Sequence, residues 1–365
     1  SASHAQLSLV GYGGNGRWDQ IAIGAWGETF CLDMDMSLVG VSITDVRGLM
    51  FRNGKDGSKW GWTDAGWGGD WLGIKNAKDE KLAFAGMKTA YLSHGPCLTD
   101  VKYKGFYGEA RDVSIDARVN TLRTNDYART FQKLRYEFND TLSVKGSWLY
   151  KMGGTHSQIT PEIAWGNRDG LTKSLKVPDG LKGKAVLVEK TDFQGEGPWW
   201  ISFPGARSVT YNPKGMNIMG YRNLVIRSYK ANFGGKEYLK PTIKFSVNRT
   251  HGLKSDVDVL IETPVGVKAF QPGDYVEMDV EWMTVTNIAD DYYGDNQHLI
   301  DHLTETPSSW KSVYREAIGN DLKLQVEGGD VIQNYPIIIK AEESEVSVNI
   351  QGGIGYVPIR FENLE

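Results

Sequence analysis

Apolar and polar residues alternate with period two through most of this chain, and that pattern predicts β-strands. From Arg111 to Leu122, Val113, Ile115, Ala117 and Val119 share one face while Ser114, Asp116, Arg118 and Asn120 share the other. Such a segment reads as a half-buried antiparallel strand. The same pattern recurs over Arg135–Phe138, Leu142–Tyr150 and Asp256–Glu262, the last turning Val257, Val259 and Ile261 inward. Over Tyr275–Thr286 it places Val276, Met278, Val280 and Trp282 opposite Glu277, Asp279 and Glu281. Val346–Ile350 and Val357–Phe361 are expected to close the chain as strands. Turn signals at Asn53-Gly, Asp56-Gly, Asp169-Gly, Asp179-Gly, Pro272-Gly-Asp and Gly328-Gly-Asp separate the runs. Many short strands with such turns make an all-β sandwich or barrel, not an α/β fold.

One stretch departs from period two. From Pro307 to Gly319, Trp310, Val313, Tyr314 and Ala317 fall at helical spacing, with Pro307 at the start and Gly319 as a C-cap. Together with Asn296–Glu305 this predicts a short helical insertion near residues 296–319. No linker or repeat appears, so a single β-sandwich domain over 1–365 is expected, with a weak subdivision near 150–180 where Gly and Pro interrupt the strands. The expected form is two large antiparallel sheets stacked face to face. In length and strand density it resembles the supersandwich of galactose-mutarotase-like proteins, which recurs in carbohydrate-active enzymes. The resemblance is architectural and assigns no residues.

Charge narrows the partners. The chain carries 41 Lys plus Arg against 45 Asp plus Glu, a formal net charge of -4. Nucleic-acid binding requires a strongly basic surface, so no nucleic-acid partner is expected. No run of eighteen apolar residues exists, so no membrane span is expected. Cys31 and Cys97 are too few for a disulfide scaffold, and either a single bridge or two buried thiols fits them. The opening SASHAQ suits the tail left by signal-peptide cleavage, which points to a secreted or periplasmic protein.

Candidate chemistry begins with tryptophan. Lys59–Gly73 (KWGWTDAGWGGDWLG) holds Trp60, Trp62, Trp67 and Trp71 among five glycines. The segment is too glycine-rich for a helix and too aromatic for a solvated linker. An indole offers a flat apolar face and one N–H donor, which suits a sugar ring and its hydroxyls. The competing reading closes the end of the core with these rings.

Histidine is scarce, with six copies. His94 follows a predicted strand that also carries Tyr91, and His156 follows another beside a glycine pair. A polar group held at a strand end is placed to work, and it can equally satisfy a loop carbonyl. The segment after His156 adds Glu162, Asn167 and Arg168. In extended backbone Glu162 shares a face with Ala164, while Ile163 and Trp165 share the other. Arg129 lies in the basic run RTNDYAR.

Elimination from a uronate sugar needs a base, an acid for the leaving oxygen and a cation that neutralises the carboxylate. His156, His94, Tyr91, Arg168, Asn167 and Arg129 supply those types. Hydrolysis by two carboxylates, Glu162 among them, is the alternative. Same-face acids such as Glu277, Asp279 and Glu281 read as solvation of an exposed face. No cofactor signature is present; the acidic loop at Asp290, Asp291 and Asp295 offers oxygen ligands for calcium without EF-hand spacing. The expected activity is cleavage of glycosidic bonds in a polysaccharide or oligosaccharide, leaning to β-elimination on an acidic glycan. A non-catalytic glycan-binding protein with a Trp platform, or an assembly subunit whose tryptophans are core, are the other readings.

Overall fold

The computed structural model describes residues 6–10, 20–25, 28–33, 43–54, 57–62, 69–122, 127–159, 162–178, 184–207, 219–251, 254–286, 310, 322–334, 336–352 and 359–363. Two antiparallel runs of strands organise them. The front sheet follows the order β7 (Phe84–His94), β8 (Leu98–Tyr107), β9 (Val113–Leu122), β10 (Tyr127–Phe138), β22 (Tyr275–Thr286), β17 (Met219–Phe233), β16 (Trp199–Arg207), β13 (Glu162–Asn167) and β14 (Gly170–Lys176). The back sheet follows β1 (Gln6–Val10), β2 (Gln20–Ala25), β3 (Glu28–Asp33), β4 (Ile43–Gly54), β6 (Gly69–Asp70), β12 (Tyr150–Ile159), β20 (Lys254–Glu262), β19 (Thr242–His251) and β15 (Lys184–Asp192). The far end of β12 crosses to pair with β16, joining the two ladders. β5 (Gly57–Trp62) extends β4 as a hairpin, and β18 (Lys236–Tyr238) extends β17.

Period two decides what fills the space between the sheets. Val113, Ile115, Ala117 and Val119 of β9 are buried, as are Val276, Met278, Val280 and Trp282 of β22 and Val257, Val259 and Ile261 of β20. All belong to one hydrophobic cluster drawn from both sheets. Rings interlock across it: Trp165 of β13 lies 5.1 Å from Phe245 of β19, and Trp71 lies 5.5 Å from Tyr103 of β8. The all-β sandwich expected from the alternation is the observed architecture.

A buried amide links the two sheets through this core. Gln132 of β10 is 1 % exposed, and its Oε1 accepts hydrogen bonds from Trp71 Nε1 and from Tyr150 Oη, each at 2.9 Å. Both donors come from the back sheet, so the amide fixes the facing of one sheet on the other.

Two expectations need correction. Leu142–Tyr150 is not one strand: only the two-residue β11 (Leu142–Ser143), paired with β21 (Ala269–Phe270), precedes β12. Gly146 at φ +70° turns the chain there, a conformation the alternation does not reveal. Cys97 is a free and exposed thiol, so it neither bridges Cys31 nor sits buried. The predicted helical insertion lies outside the described residues except for Trp310, which occupies a turn.

The C-terminal residues form small sheets of their own. β23 (Lys323–Glu327) pairs with β26 (Ser347–Gln351), and β25 (Ile337–Ala341) lies between β24 (Gly329–Asn334) and a parallel β27 (Ile359–Glu362). Their buried Ile337, Ile338 and Ile339 stand apart from the main cluster.

Gln132→Leu is expected to destabilise the fold by about 2 kcal/mol, because it removes an acceptor shared by two buried donors. Urea unfolding of the variant beside the wild type measures this, and unchanged midpoints would remove Gln132 from any role in fixing the two sheets.

Candidate functional site

The outer face of the front sheet, which period two assigns to water, is buried along part of its width. Successive register partners define one transverse row: Asp100, Asn120, Phe131, Glu281, Val225, Trp200 and Gly166. Every member is buried, with Asp100, Glu281, Val225 and Trp200 fully so. The row beside it, Arg129, Met283, Asn223, Ser202 and Ala164, is buried too. The row on the other side, Lys102, Arg118, Lys133, Asp279 and Ser228, opens to solvent.

Two ion clusters lie in the buried row. Glu281 accepts from Arg129 Nε at 2.5 Å and from Arg227 Nε at 2.8 Å, one guanidinium on each oxygen. Burial alone would push its carboxyl up, and the two cations outweigh that and hold it below the ordinary carboxylate value. Asp100 takes a bidentate contact from Arg118 and a further bond of 3.0 Å from Arg360 on β27. That last contact ties the C-terminal sheets to the front sheet. Trp310 adds a second tie by stacking on Trp200 with ring centroids 5.4 Å apart.

Between this face and the C-terminal strands runs a cleft of about 330 Å³. Its floor carries Asn120, Phe131, Lys133, Arg168, Arg227 and Asp279. Its roof carries Val331, Ile332, Gln333 and Asn334 of β24. The floor is polar and predominantly cationic, while Val331 and Ile332 give the roof an apolar surface.

The candidates from sequence scatter across this frame. Arg168 reaches the cleft from the β13–β14 turn. Asn167 braces that turn: its Nδ2 donates to the carbonyl of Gln194 at 2.9 Å, and its Oδ1 accepts from the Asp169 amide at 2.8 Å. Arg129 stands behind the cleft on Glu281. Tyr91 and His94 share β7 with ring centroids 6.1 Å apart, and burial raises the Tyr91 hydroxyl. Glu162 lies on the outer face with Ala164, as its alternation implies; burial pushes its carboxyl up while the Ser174 hydroxyl and Lys176 pull it back.

β7 and β13 are seven strands apart in the front sheet, roughly 34 Å at ordinary strand spacing. His94 and Glu162 therefore do not share a site. His156 lies on β12 of the back sheet, and its side chain is outside the described residues. Trp71 is 1 % exposed with Phe84 and Tyr103 against its ring, so protein occupies the faces a sugar would need. Trp60 and Trp62 fall on β5 with side chains outside the described residues, as Trp67 and the acidic loop at 290–295 are entirely. Among the described residues no group of three or more His, Cys, Asp or Glu is placed to hold a metal ion, and no helix is long and apolar enough to cross a membrane.

Sequence reasoning missed Glu281, Arg227, Asp100 and Trp200. A signal existed for Glu281: two residues on, the outward position is Met283, apolar where a solvated face would place a polar group.

No protein-family model matches the chain, and no curated protein does. Solved structures similar to it include the galactosidase domain of an α-galactosidase–sucrose kinase, at 9 % identity and TM-score 0.40 over 73 % of this chain and 40 % of that one. A GH36 α-galactosidase from Geobacillus stearothermophilus matches at 8 % identity and TM-score 0.41, over 76 % and 41 %. Galactose 1-epimerase from Lactobacillus acidophilus matches at 8 % identity and TM-score 0.32, over 77 % and 99 %. The chain thus spans about two fifths of the length of the two galactosidase chains.

Glu281→Gln is expected to lower stability by about 3 kcal/mol at neutral pH, since it leaves two buried guanidiniums uncompensated. The carboxyl titrates lower in the folded protein than in the unfolded chain. Its contribution is therefore complete above the ordinary value of 4.5 and is lost as pH falls through the lower folded value. Urea melts should show a gap between variant and wild type at neutral pH that closes only in acid.

Proposed function

We propose that this protein acts on an acidic carbohydrate, held in the cleft between the front sheet and the C-terminal strands, and that it breaks the chain by β-elimination. The observation that carries this reading is the lining of the cleft: Lys133, Arg168 and the Glu281-bound Arg227 on a polar floor with Asp279, beneath a roof that presents Val331 and Ile332 beside Gln333 and Asn334. A uronate presents carboxylate and hydroxyls to one side and C–H bonds to the other, and those two surfaces match floor and roof.

The same geometry counts against hydrolysis in this cleft. Two-carboxylate hydrolysis needs one carboxyl protonated as the acid. Glu281 is held as an anion by Arg129 and Arg227, and Asp279 accepts a hydrogen bond from the Ser228 hydroxyl at 2.9 Å. Elimination instead asks first for cations that stabilise charge building on the uronate carboxylate, and the cleft supplies them. His156, on β12 of the back sheet, does not line this cleft and is given no part here.

Incubation with polyuronates and with neutral polysaccharides tests the reading. Unsaturated sugar ends, seen by their ultraviolet absorbance, should accumulate only with the acidic polymers. Arg168→Ala should weaken polyuronate binding by about fivefold, in line with loss of one partly exposed charge contact. Binding without new absorbance would make the protein a glycan-binding module. Equal binding of neutral chains would overturn the acidic ligand.

A further inference from the structure

The open row on the front sheet has a charge order that sheet stability does not explain. Lys102, Arg118 and Lys133 stand directly opposite one another on β8, β9 and β10. Like charges in cross-strand register destabilise a sheet. The next row outward shows the usual solution: Lys104, Asp116, Arg135, Glu277 and Lys230 alternate in sign across five strands, and Arg135 pairs with Glu277.

The three adjacent cations are unequally neutralised. Arg118 spends its charge on Asp100, which also receives Arg360, itself 3.7 Å from Glu362. Lys102 reaches Asp116 at 3.7 Å with 47 % of its side chain exposed. Lys133 is exposed and makes no ion pair with a described residue.

These residues also line a second cavity of about 480 Å³, with Lys102, Arg118, Lys133 and Arg135 on its floor beside Asp116, Glu277 and Asp279, and Ile332, Gln333 and Ile338 above. It shares Lys133, Ser228, Asp279, Ile332 and Gln333 with the cleft already described. The two are therefore one groove, running across the strands under β24 from Arg168 to Lys102.

We infer that this groove is a track for an extended polyanionic saccharide, with Lys102 and Arg118 forming distal subsites beyond the cleft's own Lys133, each engaging a further acidic group. The inference rests on the acidic-carbohydrate reading and extends it from one bound sugar to a chain. Six strand steps separate β8 from β13, roughly 29 Å at about 4.8 Å per step. A strand step is close to the repeat of an extended pyranose chain, so a ligand lying across the strands presents about one carboxylate per strand. That coincidence of spacings gives three side-by-side cations a purpose.

Titration calorimetry with size series of oligogalacturonates and oligoalginates, from disaccharide to octasaccharide, tests the track. Affinity should rise with each added residue up to about a hexasaccharide and then level off. The variant Lys102→Gln should cut affinity for the octasaccharides about threefold while affinity for disaccharides stays unchanged. The side chain is exposed, and an unchanged circular dichroism spectrum and urea midpoint confirm folding. Binding that is independent of length, or equally weakened at every length, overturns the track and leaves the acidic-ligand reading standing. Absence of binding to every oligouronate overturns that reading itself.

Discussion

An anion without access to water, held between two guanidiniums, organises the outer face of the front sheet. Glu281 carries no exposed surface, and Arg129 and Arg227 each satisfy one of its oxygens. Desolvating these three charges is costly, and only close contact with good geometry offsets it. The cluster therefore requires cover, and the cover shapes the groove. Arg129 comes from β10, Glu281 from β22 and Arg227 from a bulge in β17. Three adjacent strands are thus locked in register at the point where the cleft floor begins.

The second buried acid does comparable work at longer range. Asp100 binds Arg118 on the neighbouring strand and Arg360 from the C-terminal sheets, 260 residues away in sequence. The C-terminal sheets are held to the floor by this contact, while Trp310 stacks on Trp200 of the same face. The hydrophobic core does not extend into the C-terminal strands. The groove is accordingly a seam between two separately cored parts, where a ligand can reach polar groups without breaching either core.

The strands were legible because Val113–Val119 of β9, Val257–Ile261 of β20 and Val276–Trp282 of β22 are apolar at every second residue. What lay beyond the sequence was adjacency. β22 pairs with β10 across some 150 residues and with β17 across about 50, and nothing local to either strand announces its partner. Glu281 shows the consequence. Period two states which face a residue takes, and it is silent on whether that face meets water. Trp71 illustrates the opposite case: four tryptophans among glycines suggested a sugar platform, yet this ring fills the space beside Phe84 and Tyr103. Arg168 was found because a turn residue between two strands has a fixed place at a sheet end. His94 and Asn167 stood in one elimination set only while the seven-strand separation of β7 from β13 was unknown.

A two-layer sandwich needs just one buried face per sheet, so a second buried face calls for a cause. Here the transition is sharp: the rows through Arg129 and Glu281 are buried, and the row two residues further along each strand is open. Desolvation strengthens every charge interaction in the buried rows, while full hydration would screen the same groups into irrelevance. The open row sits where that gradient is steepest. A ligand anion entering there exchanges water for fixed cations whose own partners are already spoken for, so little rearrangement opposes it. On the proposed reading, cations at the mouth of the groove and compensated charge beneath it are how a chain with a net negative charge would draw an acidic molecule to one face.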